Sequence, residues 1–309
     1  MDLFKLLLTP FRRADRAKAE LDFREQRRQS QEKDWQRFVD TFPFPLDKLT
    51  TAATFDDWRK ARVAGQSEGY YPVILAPEPL YFAESPPRDA LAVAKTVVPD
   101  PDELVRRRLI ESIFFYWAES QPTQSTKTKN TEYLLAELDR SEYSQASPER
   151  INEMRSEYGA ALDTNPYEIL IRNFPEFKEL PTPPSDEEER ATTESLILKP
   201  DDPPAIIARL PIAESWHVPI CLNLGGWNAM PRSEELAAWA KRWKHLYGAD
   251  IARVTLDTIT FWVERPPATF EAAKQLYLEF FLTGAENLDG QNEMIADLRS
   301  TRYWTLWWD

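Results

Sequence analysis

Residues 178–204 decide how this chain can be organised before any other feature does. The run "ELPTPPSDEEERATTES" within them is rich in proline and acid, and such a composition cannot bury enough apolar surface to pack alone. Cores must therefore form on either side of it. The chain has 309 residues, more than one average domain needs, and 42% are hydrophobic, which is enough for two cores. The expected division is a charged helical arm over 1–40, a helix-rich α/β domain over 41–177, an acidic linker over 178–204 and a second α+β domain over 205–309. With 25 prolines against 8 glycines, the loops are stiff and flexible glycine turns are few.

The C-terminal domain carries the clearest periodicities. "HVPICLNL" (217–224) reads as a strand, followed by Gly225-Gly226. "SEELAAWAKRWKHLYG" (233–248) predicts a helix with Ser233 as N-cap, a stripe of Leu236, Trp239, Ala240, Trp243 and Leu246, and Gly248 at its end. Alternation at Ala252, Val254 and Leu256, then at Ile259, Phe261 and Val263, predicts a hairpin turning at Asp257-Thr258. "TFEAAKQLYLEFFLTG" is a second capped helix ending at Gly284, and a polar helical stretch over 286–300 leads into a final strand, "YWTLWWD" (303–309). The order β-α-β-β-α-β is that of the ferredoxin-like split βαβ. In that arrangement the first and last strands are antiparallel neighbours, which would bring Trp308 and Asp309 to Trp216 and His217. Asp309 would then offer its side chain and a terminal carboxylate to His217, favouring the protonated imidazole.

Upstream, residues 11–39 contain no Gly or Pro and alternate acids with bases, so they read as one long charged helix that "FPFPLDKL" stops. Thr54 is placed to cap a helix beginning "FDDWRKARVA", and "YYPVILA" (70–76) reads as a buried strand between Gly69 and Pro77. A helix over 101–119 starts with Asp100 as cap and Pro101 in its first turn. A polar loop (121–130), helices near 131–140 and 147–162, and a short strand in "ESLILKP" are also expected. The apolar stretch Leu3 to Leu8 is too short for a membrane span and lacks the form of a secretory signal; a docked helix is the preferred reading, a surface anchor the alternative.

Few motifs carry chemistry. "GQSEG" (65–69) has the G-x-S-x-G spacing, but a helix precedes it and a strand comes after, the reverse of a nucleophile elbow, so a helix-to-strand turn is the better reading of Ser67. Two histidines and one cysteine, Cys221, cannot build the common zinc sets without carboxylates, and no metal or cofactor is expected. One cysteine also forbids an intramolecular disulfide and suits a reducing cytoplasm. "LGGWN" lacks the third glycine and the lysine of phosphate loops. Three readings of it stay open: a backbone turn with Trp227 capping the core, a recognition loop presenting Trp227 and Asn228, and, least favoured, a nucleotide loop. His217 beside Asp309 fits a structural clasp better than an acid/base pair, because no nucleophile or oxyanion donor completes a site.

The residues "VPICLNLGGWNAMP" followed by "YWTLWWD" resemble the bacterial domain of unknown function 4253, which carries a Gly-Gly-Trp-Asn signature and a terminal Trp-Trp-Asp run. The matching positions are Gly225, Gly226, Trp227 and Asn228, then Trp307, Trp308 and Asp309. The resemblance covers the C-terminal domain and implies no established activity.

Eight of the eleven tryptophans, at 216, 227, 239, 243, 262, 304, 307 and 308, fall in that domain. On a strand, Trp304, Leu306 and Trp308 share one face, expected against Trp239 and Trp243, and Tyr303, Thr305 and Trp307 share the other. A net charge of −13 repels nucleic acid and anionic membranes and favours a basic protein partner. The sequence thus points to a cytoplasmic, non-catalytic interaction module with Trp227, Asn228, Trp307, Trp308, Asp309 and His217 as binding residues, in its most concrete form an immunity-like neutraliser of a basic toxin. The alternative is an enzyme with an inter-domain site around His217 and Asn228.

Overall fold

A helix capped at both ends, followed by five apolar residues, starts the sheet. Thr54 accepts from the backbone N–H of Asp57, and the Asp57 carboxylate accepts from the N–H of Thr54, closing a reciprocal capping box. Gly69 ends the helix in the left-handed conformation, and Tyr71–Leu75 then run as a strand with all five residues buried. The computed structural model describes residues 29–30, 32–48, 54–75, 87–120, 206–286, 288 and 291–309. Leu3 to Leu8, most of the charged arm, the polar loop at 121–130, the helices expected near 131–140 and 147–162, the strand in "ESLILKP" and the linker lie outside these residues.

Residues 32–41 are helical and stop where "FPFP" begins. In chain order the elements are β1 (Leu46–Lys48), α1 (Phe55–Glu68), β2 (Tyr71–Leu75), α2 (Ala90–Lys95), α3 (Pro101–Ser120) and β3 (Ile206–Leu210). A 3-10 turn (Ser215–His217) runs into α4 (Val218–Leu222), and then come α5 (Ser233–Tyr247), β4 (Asp250–Val254), β5 (Thr258–Trp262), α6 (Phe270–Leu282), α7 (Gln291–Ser300) and β6 (Tyr303–Trp307). The protein is α+β, with one six-stranded mixed sheet in the order β1-β3-β2-β4-β5-β6.

Two compact units are built from interleaved segments: Met1–Lys95, Ser195–Leu224 and Ile251–Ile259 form one, and Thr96–Glu194, Gly225–Asp250 and Thr260–Asp309 the other. In the first, β3 is antiparallel to β1 and to β2, and β2 is parallel to β4 through Ile74↔Arg253 and Leu75↔Val254. Trp58 of α1 packs on the sheet and donates from Nε1 to the carbonyl of Pro72 at 3.0 Å. Gly65 lets α1 approach, since a Cβ there would stand 2.4 Å from the carbonyl oxygen of Tyr70. Ser67 sits in the last turn of α1 and donates to the carbonyl of Ala64, so "GQSEG" is a helix end running into a strand.

In the second unit, Trp239 and Trp243 on α5 stack at 5.7 Å, and Trp243 meets Phe261 and Phe280 edge to face. Trp304 of β6 reaches Phe280 and Tyr247 in the same way. Along β6, Trp304 and Leu306 are buried while Tyr303, Thr305 and Trp307 are half-buried, which is the expected alternation. Asp100 accepts from the N–H groups of Asp102 and Glu103 at the start of α3, as its position ahead of Pro101 predicts. The β4–β5 hairpin, whose turn belongs to the first unit, forms where predicted: Asp257 accepts from the hydroxyls of Thr255 and Thr258 at 2.8 and 2.9 Å, and Thr255 N–H bonds the carbonyl of Thr258.

Three expectations are corrected. "HVPICLNL" is not a strand: Ser215–His217 and Val218–Leu222 are helical, and Asn223 closes α4 with φ 52°. A short, wholly apolar run does not separate a buried strand from a buried helical turn, and Pro219 in the first turn suits a helix because its missing N–H would be unsatisfied there anyway. The first strand of this region is instead β3, "IIARL". Second, the sheet is not ferredoxin-like. Both sides of β3 are occupied, by β1 and β2, so β6 lies beside β5 and cannot pair with the first strand. The pairing that was to bring Asp309 to His217 therefore does not exist. Third, Arg232 rather than Ser233 holds the N-cap position of α5, with no side-chain capping bond.

Candidate functional site

The Gly-Gly-Trp-Asn residues form a closed loop whose conformation few other residues could adopt. Gly225, Gly226 and Asn228 all have positive φ, at 84°, 79° and 46°. A Cβ on Gly225 would lie 2.0 Å from the carbonyl oxygen of Pro231, so only glycine fits. The N–H of Gly226 bonds the carbonyls of Met230 and Pro231 at 3.1 Å each, and the N–H of Met230 bonds the carbonyl of Trp227 at 3.0 Å. Met230 and Pro231 are buried, Trp227 is half-buried, and Asn228 and Ala229 are exposed. The loop is thus anchored at its far side and holds its tip out.

The Trp-Trp-Asp end is tied to the turn after α6. Trp308 is 0% exposed and donates from Nε1 to the carbonyl of Thr283 at 3.0 Å. The N–H of Glu286 bonds the carbonyl of Trp307 at 2.8 Å. Gly284, at φ 75°, lies between these two anchors, and a Cβ on it would stand 2.9 Å from the carbonyl oxygen of Ala229. Thr283 to Glu286 therefore meet both the Trp-Trp-Asp end and Ala229, which follows the Gly-Gly-Trp-Asn residues. Sequence reasoning treated the motifs separately and missed the turn that joins them; its only sign in the sequence is Gly284 just after a helix.

The predicted binding residues divide between the two units. Trp227, Asn228, Trp307, Trp308 and Asp309 belong to one and His217 to the other. Trp308 is a core side chain, Trp307 is half-buried, and Asp309 is exposed. His217 lies against Trp216, with ring centroids 3.6 Å apart. Cys221 is buried in α4, and burial pushes its thiol up to about 12, which keeps it protonated and unreactive at neutral pH.

A second polar feature was not anticipated. Glu279 on α6 is 1% exposed and accepts from Arg242 Nε and Nη2 at 3.2 and 3.0 Å and from Trp243 Nε1 at 2.9 Å. Arg242 also bonds Asp102, and Glu235 takes Arg107 and Arg108, so α3 is held to α5 through charges at two places. Burial pushes the nearby Tyr247 hydroxyl up to about 12, and the charge of Glu279 adds to the effect. A single acid inside "LYLEFFL" was the available signal, because a lone carboxylate in an apolar stripe needs a buried partner. Glu279 is satisfied by side chains of its own unit, which marks it as a structural centre.

Among the described residues, no group of three His, Cys, Asp or Glu side chains is arranged to hold a metal ion, and no helix is long and apolar enough to cross a membrane. The fold and site define an α+β protein with a backbone-bonded, partly exposed aromatic loop. Residues 206–309 match the model of the family described as Domain of unknown function (DUF4253), a span that includes both motifs. No curated protein and no solved structure matches the chain.

Proposed function

We propose that this protein is a non-catalytic interaction module that binds a basic protein partner in the bacterial cytoplasm, and that neutralising a basic toxin or effector is the role that suits it best. The observation that carries this reading is the loop at 225–231. It is held rigid by left-handed residues and a double backbone bond, yet it presents an indole and an exposed amide. Presenting Trp and Asn from a fixed frame lowers the ordering cost of binding. A net charge of −13 supplies the long-range attraction for a cationic surface. Asp309 and Glu286, both exposed, add carboxylates beside the strand end and the turn.

The test is a capture experiment from native lysate on three matrices carrying the wild type, Trp227→Ala or Asn228→Ala. The reading expects a basic protein that stays on the wild-type matrix, is lost at high salt, and is retained at least tenfold less by Trp227→Ala. Equal capture by all three, or no stable partner at all, contradicts it.

A further inference from the structure

The family-matched segment supplies four strands, β3 to β6, but two that are consecutive in that segment are not neighbours. β3 and β4 are separated by β2, which comes from well upstream of residue 206. β2 meets β3 over five antiparallel pairs, from Tyr71↔Leu210 to Leu75↔Ile206, and meets β4 in parallel at Ile74 and Leu75. Tyr71 also bridges to β4, donating from its hydroxyl to the carbonyl of Ile251 at 2.8 Å. Tyr71, Val73 and Leu75 are completely buried, and so are Ala208, Leu210, Ile251 and Val254. Without β2, the facing edges of β3 and β4 would each expose a row of backbone donors and acceptors along with apolar side chains.

One side chain of the matched segment reads the upstream piece. Arg209 of β3 donates from Nε and Nη2 to both oxygens of Asp47 at 2.8 and 2.9 Å, and from Nη1 to Glu68 at 3.3 Å. Its guanidinium lies 4.9 Å from the centre of the Tyr70 ring. Glu68 and Tyr70 stand just ahead of β2 in sequence, and Asp47 lies on β1, which pairs with the other edge of β3, so one arginine recognises three points on the upstream segment.

We propose that residues 206–309 form an open sheet with a strand-receiving slot between β3 and β4, and that the upstream segment bearing β2 is its obligate occupant. The donor is held by backbone pairing, apolar burial and Arg209, and its covalent connection to β3 is dispensable. The slot takes an apolar strand that is antiparallel to β3, preceded by an aromatic residue and flanked by carboxylates. This is independent of the partner reading above.

The test starts from the full chain with a specific protease site introduced within residues 121–130. After cleavage, the two pieces should co-elute on size exclusion and keep the near-ultraviolet dichroism of the tryptophans. Separated in denaturant and returned to buffer singly, the C-terminal piece should lack that signal and regain it on mixing with the N-terminal piece. Val73→Asp in the N-terminal piece should abolish recovery, and Arg209→Ala should weaken reassociation at least tenfold. Pieces that part in native buffer overturn the proposal. So does a C-terminal piece that regains a native spectrum and a cooperative melt alone, or a Val73→Asp piece that restores the signal as well as the wild type.

Discussion

Two five-residue runs in this chain are nearly the same on paper. "YPVIL" (71–75) and "VPICL" (218–222) each carry proline second, leucine last and only apolar or aromatic residues, and each is buried at every position. The first is a strand inside the sheet, and the second is a helical turn. Their prolines show how each environment accommodates a missing N–H. Pro72 pairs with Arg209 on one side, but β4 joins β2 only at Ile74 and Leu75, so no ladder bond to β4 is lost at position 72. Pro219 stands in the first turn of α4. The exits of the two runs differ too. β2 stays extended through Leu75, whereas Asn223 turns left-handed and sends the chain toward the Gly225 loop. One run builds the sheet; the other ends a core and delivers the exposed motif.

Each prediction probes a difference between the two runs. The largest effect concerns Cys221, which gives the helical run a thiol where the strand has none. With its pKa pushed up to about 12, modification by a thiol reagent at pH 8 should be on the order of a thousandfold slower than for free cysteine, and should recover in denaturant. The raised value also fixes a sign. The thiol's contribution to stability is complete below about pH 9 and is lost as pH rises toward 12, so alkaline melts of Cys221→Ala should fall less steeply than wild type. Next, Tyr71→Ala removes a fully buried ring and the bond to Ile251, and should cost about 3–5 kcal/mol by urea denaturation. Ile220→Ala should cost less, about 2–4 kcal/mol, since alanine returns part of the loss as helix propensity.

The flanking glycines sharpen the contrast. Gly69, before the strand, has φ 78° with nothing near its missing Cβ, so Gly69→Ala should cost only about 1 kcal/mol. Gly225, after the helical turn, has φ 84° and meets Pro231 at 2.0 Å, so Gly225→Ala should cost about 2–3 kcal/mol and shift the loop. Equal costs would mean that the loop is not closed as described. Smallest are Pro72→Ala and Pro219→Ala, each expected to cost about 0.4–1 kcal/mol, because both prolines sit where their backbone is already compatible.

Much of the fold was legible where local chemistry decides it. Thr54 and Asp57, Asp100 before Pro101, Gly248 and the Asp257 turn all make bonds within a few residues of themselves, so the sequence pattern suffices. The alternation of Trp304, Leu306 and Trp308 was readable for the same reason. Sheet order was not readable, because β2 pairs with β3 across a long separation in the chain and no local residue announces a strand arriving from elsewhere. "HVPICLNL" misled because an apolar run fits a buried strand and a buried helical turn equally. Of the candidate site, the Gly-Gly-Trp-Asn loop was visible as a motif, while its contact with the turn at Gly284 depends on a meeting of distant segments.

Sheet order and loop presentation both rest on the difference between the two runs. Backbone carbon chemical shifts of the full chain, assigned over 71–75 and 218–222, test it most directly. Strand-type Cα and Cβ deviations are expected across Tyr71–Leu75, and helix-type deviations of opposite sign across Val218–Leu222, with Asn223 left-handed. Deviations of the same sign in both runs would contradict the strand and helix assignments on which the sheet and the loop depend.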